Sequence, residues 1–214
     1  MIHNSLDHIR LSEIRENLEE IKLKKSYLSD VFNNPELPLL IYIGRLNPHK
    51  KLEWIIESLY DLKEKGQTFN LIIIGEGPEM KRLEEKVKNN DLKDNVWFGG
   101  AMYEDKTSAP YLYLSDACIS PGHIGLTAIH SLEMGTPVIT HNDFARHAPE
   151  VEAIKPDYNG DFFTYNDKNS LAETIYRVIK KSTANRRELR DNCIKSLKDW
   201  TPDYQINLLR KTIY

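Results

Sequence analysis

The chain has 214 residues, 40% hydrophobic and 29% charged, which is enough for one packed core with a helical extension in a soluble protein. Its 29 Lys and Arg against 32 Asp and Glu give a net charge of -3, with no basic excess to attract nucleic acid. Cys118 and Cys193 fit neither a metal spacing nor a disulfide framework and read as reduced thiols, no apolar run reaches the ~18 residues of a membrane span, and no signal segment opens at Met1; a cytoplasmic protein is expected.

In chain order, Arg10 to Ser29 is a charged helical stretch, ended by the break at Asn33-Asn34-Pro35. From Leu37 onward, short apolar runs alternate with amphipathic charged segments, the pattern of strand-helix units around a parallel sheet. Strands are expected at Leu39 to Ile43, Leu71 to Ile74, Val96 to Phe98, Ala117 to Ile119 and Val138 to Thr140, brief and mostly β-branched or aromatic. Leu52 to Lys65, Pro78 to Asn89 and Leu126 to Met134 carry apolar residues at helical spacing and are the crossover helices. The tail from Leu171 is helical and restarts at Thr201-Pro202, a cap followed by a proline suited to the first turn. Trp200, Tyr204, Ile206, Leu208 and Leu209 expose apolar groups on more than one side of that last helix, which is expected to pack on something. The fold class is α/β: a parallel sheet of roughly six strands, Rossmann-like, flanked by helices.

Ligands bind at the carboxyl ends of strands in such sheets, so the loops after strands hold the candidate site. The loop Gly44-Arg45-Leu46-Asn47-Pro48-His49-Lys50-Lys51 suits a phosphate, because Arg45 offers a planar fork and Lys50 a mobile point charge; it equally reads as a solvated turn. Gly75-Glu76-Gly77-Pro78 would let a ligand approach the backbone, and alone is ordinary turn chemistry. The third loop runs from Ser120 through Gly122 and His123 into a short helix closed by Gly135. The amides of Gly125, Leu126 and Thr127 at that helix start would form an anion site. His130, one turn on, either faces the same ligand or is a hydrogen-bonded helix histidine.

These segments together resemble the C-terminal domain of the retaining GT-B glycosyltransferases called group 1, or family 4. Asn4-Ser5-Leu6-Asp7 resembles the start of that domain; Gly44-Arg45-Leu46 with Lys50, Gly75 to Glu79, and Val96 to Gly100 resemble its next three motifs. Leu112 to Pro121 with Asp116, Gly125-Leu126 with Gly135 to Val138, Pro149-Glu150 and Asn159-Gly160 follow in the family's order. The sequence departs from the pattern at two glutamates around the Gly-Leu block, where it has Gly122 and His130. In the family the first glutamate contacts the donor sugar and the second the ribose. The resemblance therefore implies that His130 keeps part of the ribose contact, with one ring nitrogen in place of two carboxylate oxygens. His123 or Glu133 would substitute for the first glutamate. A phosphate beside His130 is expected to favour its protonated form.

By resemblance, residues 1–214 form one nucleotide-sugar-binding domain with C-terminal helices over 200–214. The N-terminal GT-B domain, which carries most of the acceptor site, is absent. The implied reaction is transfer of a sugar from a nucleotide diphosphate sugar, UDP preferred and GDP open, to a glycan or lipid-linked acceptor with retained configuration. Arg45 and Lys50 would neutralise the departing diphosphate, and no metal or other cofactor is implied. The complete enzyme would work in the cytoplasm or at the inner face of the membrane. A non-catalytic nucleotide-sugar-binding module, a GT-B nucleotide-sugar epimerase and a generic phosphate-binding Rossmann domain are the alternatives.

Overall fold

The computed structural model describes residues 6–20 and 28–213. Six strands, β1 Leu39–Ile43, β2 Asn70–Ile74, β3 Val96–Gly100, β4 Ala117–Ile119, β5 Val138–His141 and β6 Gly160–Phe163, form one parallel sheet in the order β3-β2-β1-β4-β5-β6. This is the doubly wound α/β arrangement expected. Strand order reverses direction between β1 and β4, so the loops leaving those two strands part and open a crevice at their carboxyl ends.

β1 and β2 are covered on both faces, which is why each is a nearly continuous apolar run. Alternate residues serve different layers. Leu40, Tyr42, Leu71 and Ile73 pack with α2 (Glu53–Glu64), α3 (Met80–Asn89) and α6 (Lys168–Ala184), while Ile41, Ile72 and Ile74 pack with α1 (His8–Glu20) and α4 (Asp105–Leu114). A third cluster surrounds α5 (Thr127–Glu133) and includes Cys193 of α7 (Arg186–Lys195). Each fully buried Leu or Ile side chain contributes about 1.5–3 kcal/mol, so these alternating faces are what hold the layers together.

α4 and β6 lie outside the sequence reading. α4 carries Pro110 in its interior, which removes one helical donor and reads in sequence as a break. β6 starts at Gly160, read as part of a turn; a Cβ there would lie 2.2 Å from the Val138 carbonyl oxygen, so the close strand approach requires glycine. The residues 21–27 of the N-terminal helical stretch, and Asn4-Ser5, are outside the described residues. α8 (Pro202–Ile213) starts where expected, with the Tyr204 amide donating to Thr201 Oγ1 at 3.3 Å. Its Tyr204, Ile206 and Leu209 are exposed.

Asp116 lies at the opposite end of the sheet from the loops. Its Oδ2 accepts from the Leu39 amide at 2.8 Å and its Oδ1 from Arg186, whose Nη2 also reaches the carbonyls of Leu114 (2.7 Å) and Tyr113 (3.0 Å). One aspartate thus ties β1, β4 and α7 together. Cys118 and Cys193 are unbridged and fully buried, and burial pushes the Cys118 thiol up to about 12. Among the described residues, no helix is long and apolar enough to cross a membrane.

Candidate functional site

The carboxyl ends of β1, β2 and β3 open into a cavity of 730 Å³ lined by Gly44, Arg45, Gly75 and Gly77 among the expected residues, and by Glu76, Met102 and Tyr103. Its floor is two loops in backbone contact. A Cβ on Gly75 would lie 1.9 Å from the Gly44 carbonyl oxygen and one on Gly77 2.5 Å from that of Leu46, so glycine is required at both. The Leu46 amide donates to the Glu76 carbonyl at 2.9 Å, and the Glu79 amide to the Leu46 carbonyl at 3.0 Å. From beneath, the buried Tyr42 hydroxyl donates to the Arg45 carbonyl at 2.9 Å. The Arg45 backbone is therefore fixed while its side chain is exposed. Tyr103 donates to Glu76 Oε1 at 2.6 Å, joining two of the lining loops.

Beside the cavity, the 3-10 turn Pro48–Lys50 rests on Gly122. A Cβ at 122 would lie 2.2 Å from the His49 carbonyl oxygen and 2.7 Å from Lys50 Cα. Lys50 Nζ donates to the His123 carbonyl at 2.6 Å, clasping the loop after β1 to the loop after β4 across the crevice. Burial lowers the Lys50 pKa. That of His123, whose side chain is exposed, is lowered by partial burial first and by the Lys50 cation second. Further along, the amides of Gly125, Leu126 and Thr127 donate no hydrogen bond to another described residue, as expected of a helix start without a side-chain cap.

His130 and Glu133 lie deeper. His130 Nε2 is buried without a hydrogen-bond partner, and burial lowers its pKa against the opposing pull of Asp105 and Glu133. In the protein alone burial thus disfavours the charged ring, while the expected protonation concerns the form with a phosphate bound beside it. The Glu133 carboxylate is 2% exposed and turned to α1, where Arg15 Nη1 lies at 2.5 Å and His8 Nδ1 at 2.8 Å. The structure does not bring it together with the other candidates.

Sequence reasoning passed over the loop after β3 and took from the loop after β5 only the motif Pro149-Glu150. The first supplies Met102 and Tyr103; the end of β5 and the loop after it supply His141 and His147, whose rings stack with centroids 3.9 Å apart. His147 Nε2–H donates to the His141 carbonyl (2.9 Å), and its Nδ1 accepts from the Ile124 amide (3.2 Å), which fixes the approach to α5. His141 Nδ1 accepts from the Asp143 amide at 3.2 Å, and burial followed by His147 pushes its pKa down to about 4. The strand-end rule, applied to every strand instead of three, names both loops.

An exposed guanidinium at the cavity, a lysine clasped to the next loop and three amides without an acceptor further along that loop are groups of the kind that hold anions. The comparisons with known proteins bear on which. The family model described as glycosyl transferases group 1 matches residues 25–200. An alpha-monoglucosyldiacylglycerol synthase of Streptococcus pneumoniae is 30% identical over 132 residues, 60% of this chain and 28% of that protein. A GDP-mannose-dependent alpha-(1-6)-phosphatidylinositol dimannoside mannosyltransferase of Mycobacterium tuberculosis is 28% identical over 156 residues, 72% of this chain and 38% of that protein. The chain therefore spans well under half the length of these curated relatives. Among solved structures, Anabaena HepE in complex with UDP-glucose superimposes with a TM-score of 0.71 at 18% identity, over 99% of this chain and 56% of that one.

Proposed function

The chain belongs to the group 1 glycosyl transferases, and from that premise we propose that it is a donor-binding domain which holds a nucleotide diphosphate sugar for transfer, with retained configuration, to a hydroxyl acceptor. The observation that carries this reading is the Lys50 bond to the His123 carbonyl, which sets the cationic loop after β1 against the loop that leads to the Gly125, Leu126 and Thr127 amides, with Arg45 exposed at the neighbouring cavity. Cations and helix-start amides stabilise charge that develops on a departing diphosphate, and they do so without a metal. Gly44, Gly75 and Gly77 let the nucleotide lie against backbone. His130 Nε2, buried without a partner, is the ring nitrogen that a ribose hydroxyl would have to reach. His123, beside Gly122, is the side chain left to meet the donor where its diphosphate joins the sugar.

UDP is the preferred donor nucleotide, supported by the structural likeness to a UDP-glucose complex; the mannosyltransferase relative keeps GDP open. Two relatives are named for transfer to lipids, which supports a lipid-linked or glycan acceptor met at the inner face of the membrane. The acceptor would be held largely by an N-terminal GT-B domain. Calorimetric titration of UDP and GDP into the chain, with and without EDTA, tests the reading: metal-independent binding of at least one is expected, and abolition by EDTA overturns the metal-free site.

One observation favours a second reading, a nucleotide-sugar-binding module without transfer. At Gly122, the place of the family's sugar-contacting glutamate, backbone packing leaves no room for a side chain. Sugar release or transfer with a UDP-sugar and acceptor, assayed for the chain alone and for the chain joined to an N-terminal GT-B domain, separates the two.

A further inference from the structure

Glu150 stands in the 3-10 turn Pro149–Ala153 after β5, is 1% exposed, and its Oε2 has no hydrogen-bond partner. A buried carboxylate oxygen without a donor is destabilising, and groups of this kind are retained where a function uses them. Its surroundings point to that function. The position that a side-chain carbon would take on Gly125 lies 3.9 Å from Glu150 Oε2 and 3.7 Å from His123 Cε1. Carboxylate and imidazole therefore both reach one glycine just before α5, beside the Ala148 methyl at 3.4 Å.

We propose that Glu150 and His123 form a carboxylate–imidazole pair over Gly125 when a sugar nucleotide binds, Glu150 holding the ring so that its other nitrogen donates to a phosphate oxygen. The inference rests on the donor-site reading above and adds a positioning residue to it. The ring's neighbours set the sign. Lys50 and His49 from the loop after β1 and His147 from the loop after β5 oppose its protonation, whereas Glu150 favours it. The protein alone holds His123 largely neutral at neutral pH; a diphosphate added beside it, with Glu150 behind, draws a proton on. Binding then takes up a proton, and affinity rises as pH falls through the histidine range.

The test titrates UDP-glucose, and GDP-mannose in parallel, into the full chain at about pH 6 and about pH 8. Both are diphosphate diesters whose own charge is constant over that interval. Wild type is compared with His123→Ala, which keeps the carbonyl used by Lys50, with Glu150→Gln, and with Gly125→Ala, whose methyl fits at ordinary contact distances and would touch both members of the pair. Wild type is expected to bind several-fold more tightly at the lower pH, and each variant to lose most of that gain, about three- to tenfold. Melting curves without nucleotide are the second readout. Glu150→Gln is expected to melt at or above wild type, because a neutral amide is easier to bury than a carboxylate lacking a donor. A Glu150→Gln protein that melts clearly earlier, or that binds with the wild-type pH profile, overturns the pair while leaving the donor site standing. Failure of wild type to bind either sugar nucleotide removes the donor-site reading, and the pair with it.

Discussion

Arg45 shows how the site separates support from chemistry within one residue: its carbonyl is held by Tyr42 from the core, while its guanidinium is left exposed beside the cavity. Arg45→Ala is therefore expected to weaken UDP binding by about 1.5–3 kcal/mol, the range for a hydrogen bond to a charged group. Its melting temperature without nucleotide should stay near wild type; an equal loss of stability would make Arg45 structural. Gly122 behaves oppositely. Writing the family's glutamate back at 122 drives a Cβ into the His49 carbonyl, so Gly122→Glu should cost about 1–3 kcal/mol in urea unfolding and gain no sugar-nucleotide affinity. His141 governs a pH effect. It is 1% exposed with a pKa pushed from the ordinary 6.5 down to about 4, so the unfolded chain binds its proton first. Its contribution is complete above about pH 6.5 and is lost as pH falls toward about 4, amounting at most to about 3 kcal/mol. His141→Phe should flatten that part of the stability profile, measured by urea unfolding across the interval. An unchanged slope would assign the acid sensitivity elsewhere.

At the level of elements, α7 is fastened by Arg186, which satisfies Asp116 and carbonyls at the end of α4. Arg186→Met keeps the packing stem and leaves that carboxylate unpaired, so a loss of about 1–3 kcal/mol is expected, smaller than for a fully buried pair because the guanidinium is partly exposed. Amide hydrogen exchange should show α7 opening first; uniform destabilisation would mean that the pair does not anchor α7 locally. The elements that were legible in the sequence share a cause. β1, β2, β4 and β5 are apolar runs buried from both sides, and α2 and α6 carry apolar stripes between clear punctuation. α4 and β6 were hidden because their local signals contradict their state: a proline inside the helix, and a glycine at the start of a four-residue edge strand. Packing against α1 and pairing with β5 override those signals.

For the molecule as a whole, a ligand that binds the folded chain alone must stabilise it. UDP at a hundred times its dissociation constant is expected to add about 2.7 kcal/mol, visible as a raised melting temperature that climbs with the logarithm of concentration. A melting temperature indifferent to UDP and GDP alike would count against the donor site. The polar frame of that site was legible because glycines, cations and strand ends are local features. What sequence could not show was the facing of side chains: Glu133 turned toward Arg15, His130 with its Nε2 turned inward, and Glu150 brought within reach of Gly125 from 25 residues away. The Lys50 bond to the His123 carbonyl has one more consequence. A diphosphate that recruits this ammonium exchanges one acceptor for another, so Lys50 confers less affinity than a free cation would. The two loops stay in register through that exchange, because Gly122 packs on the backbone of His49 and Lys50 whether or not the ammonium bond is made.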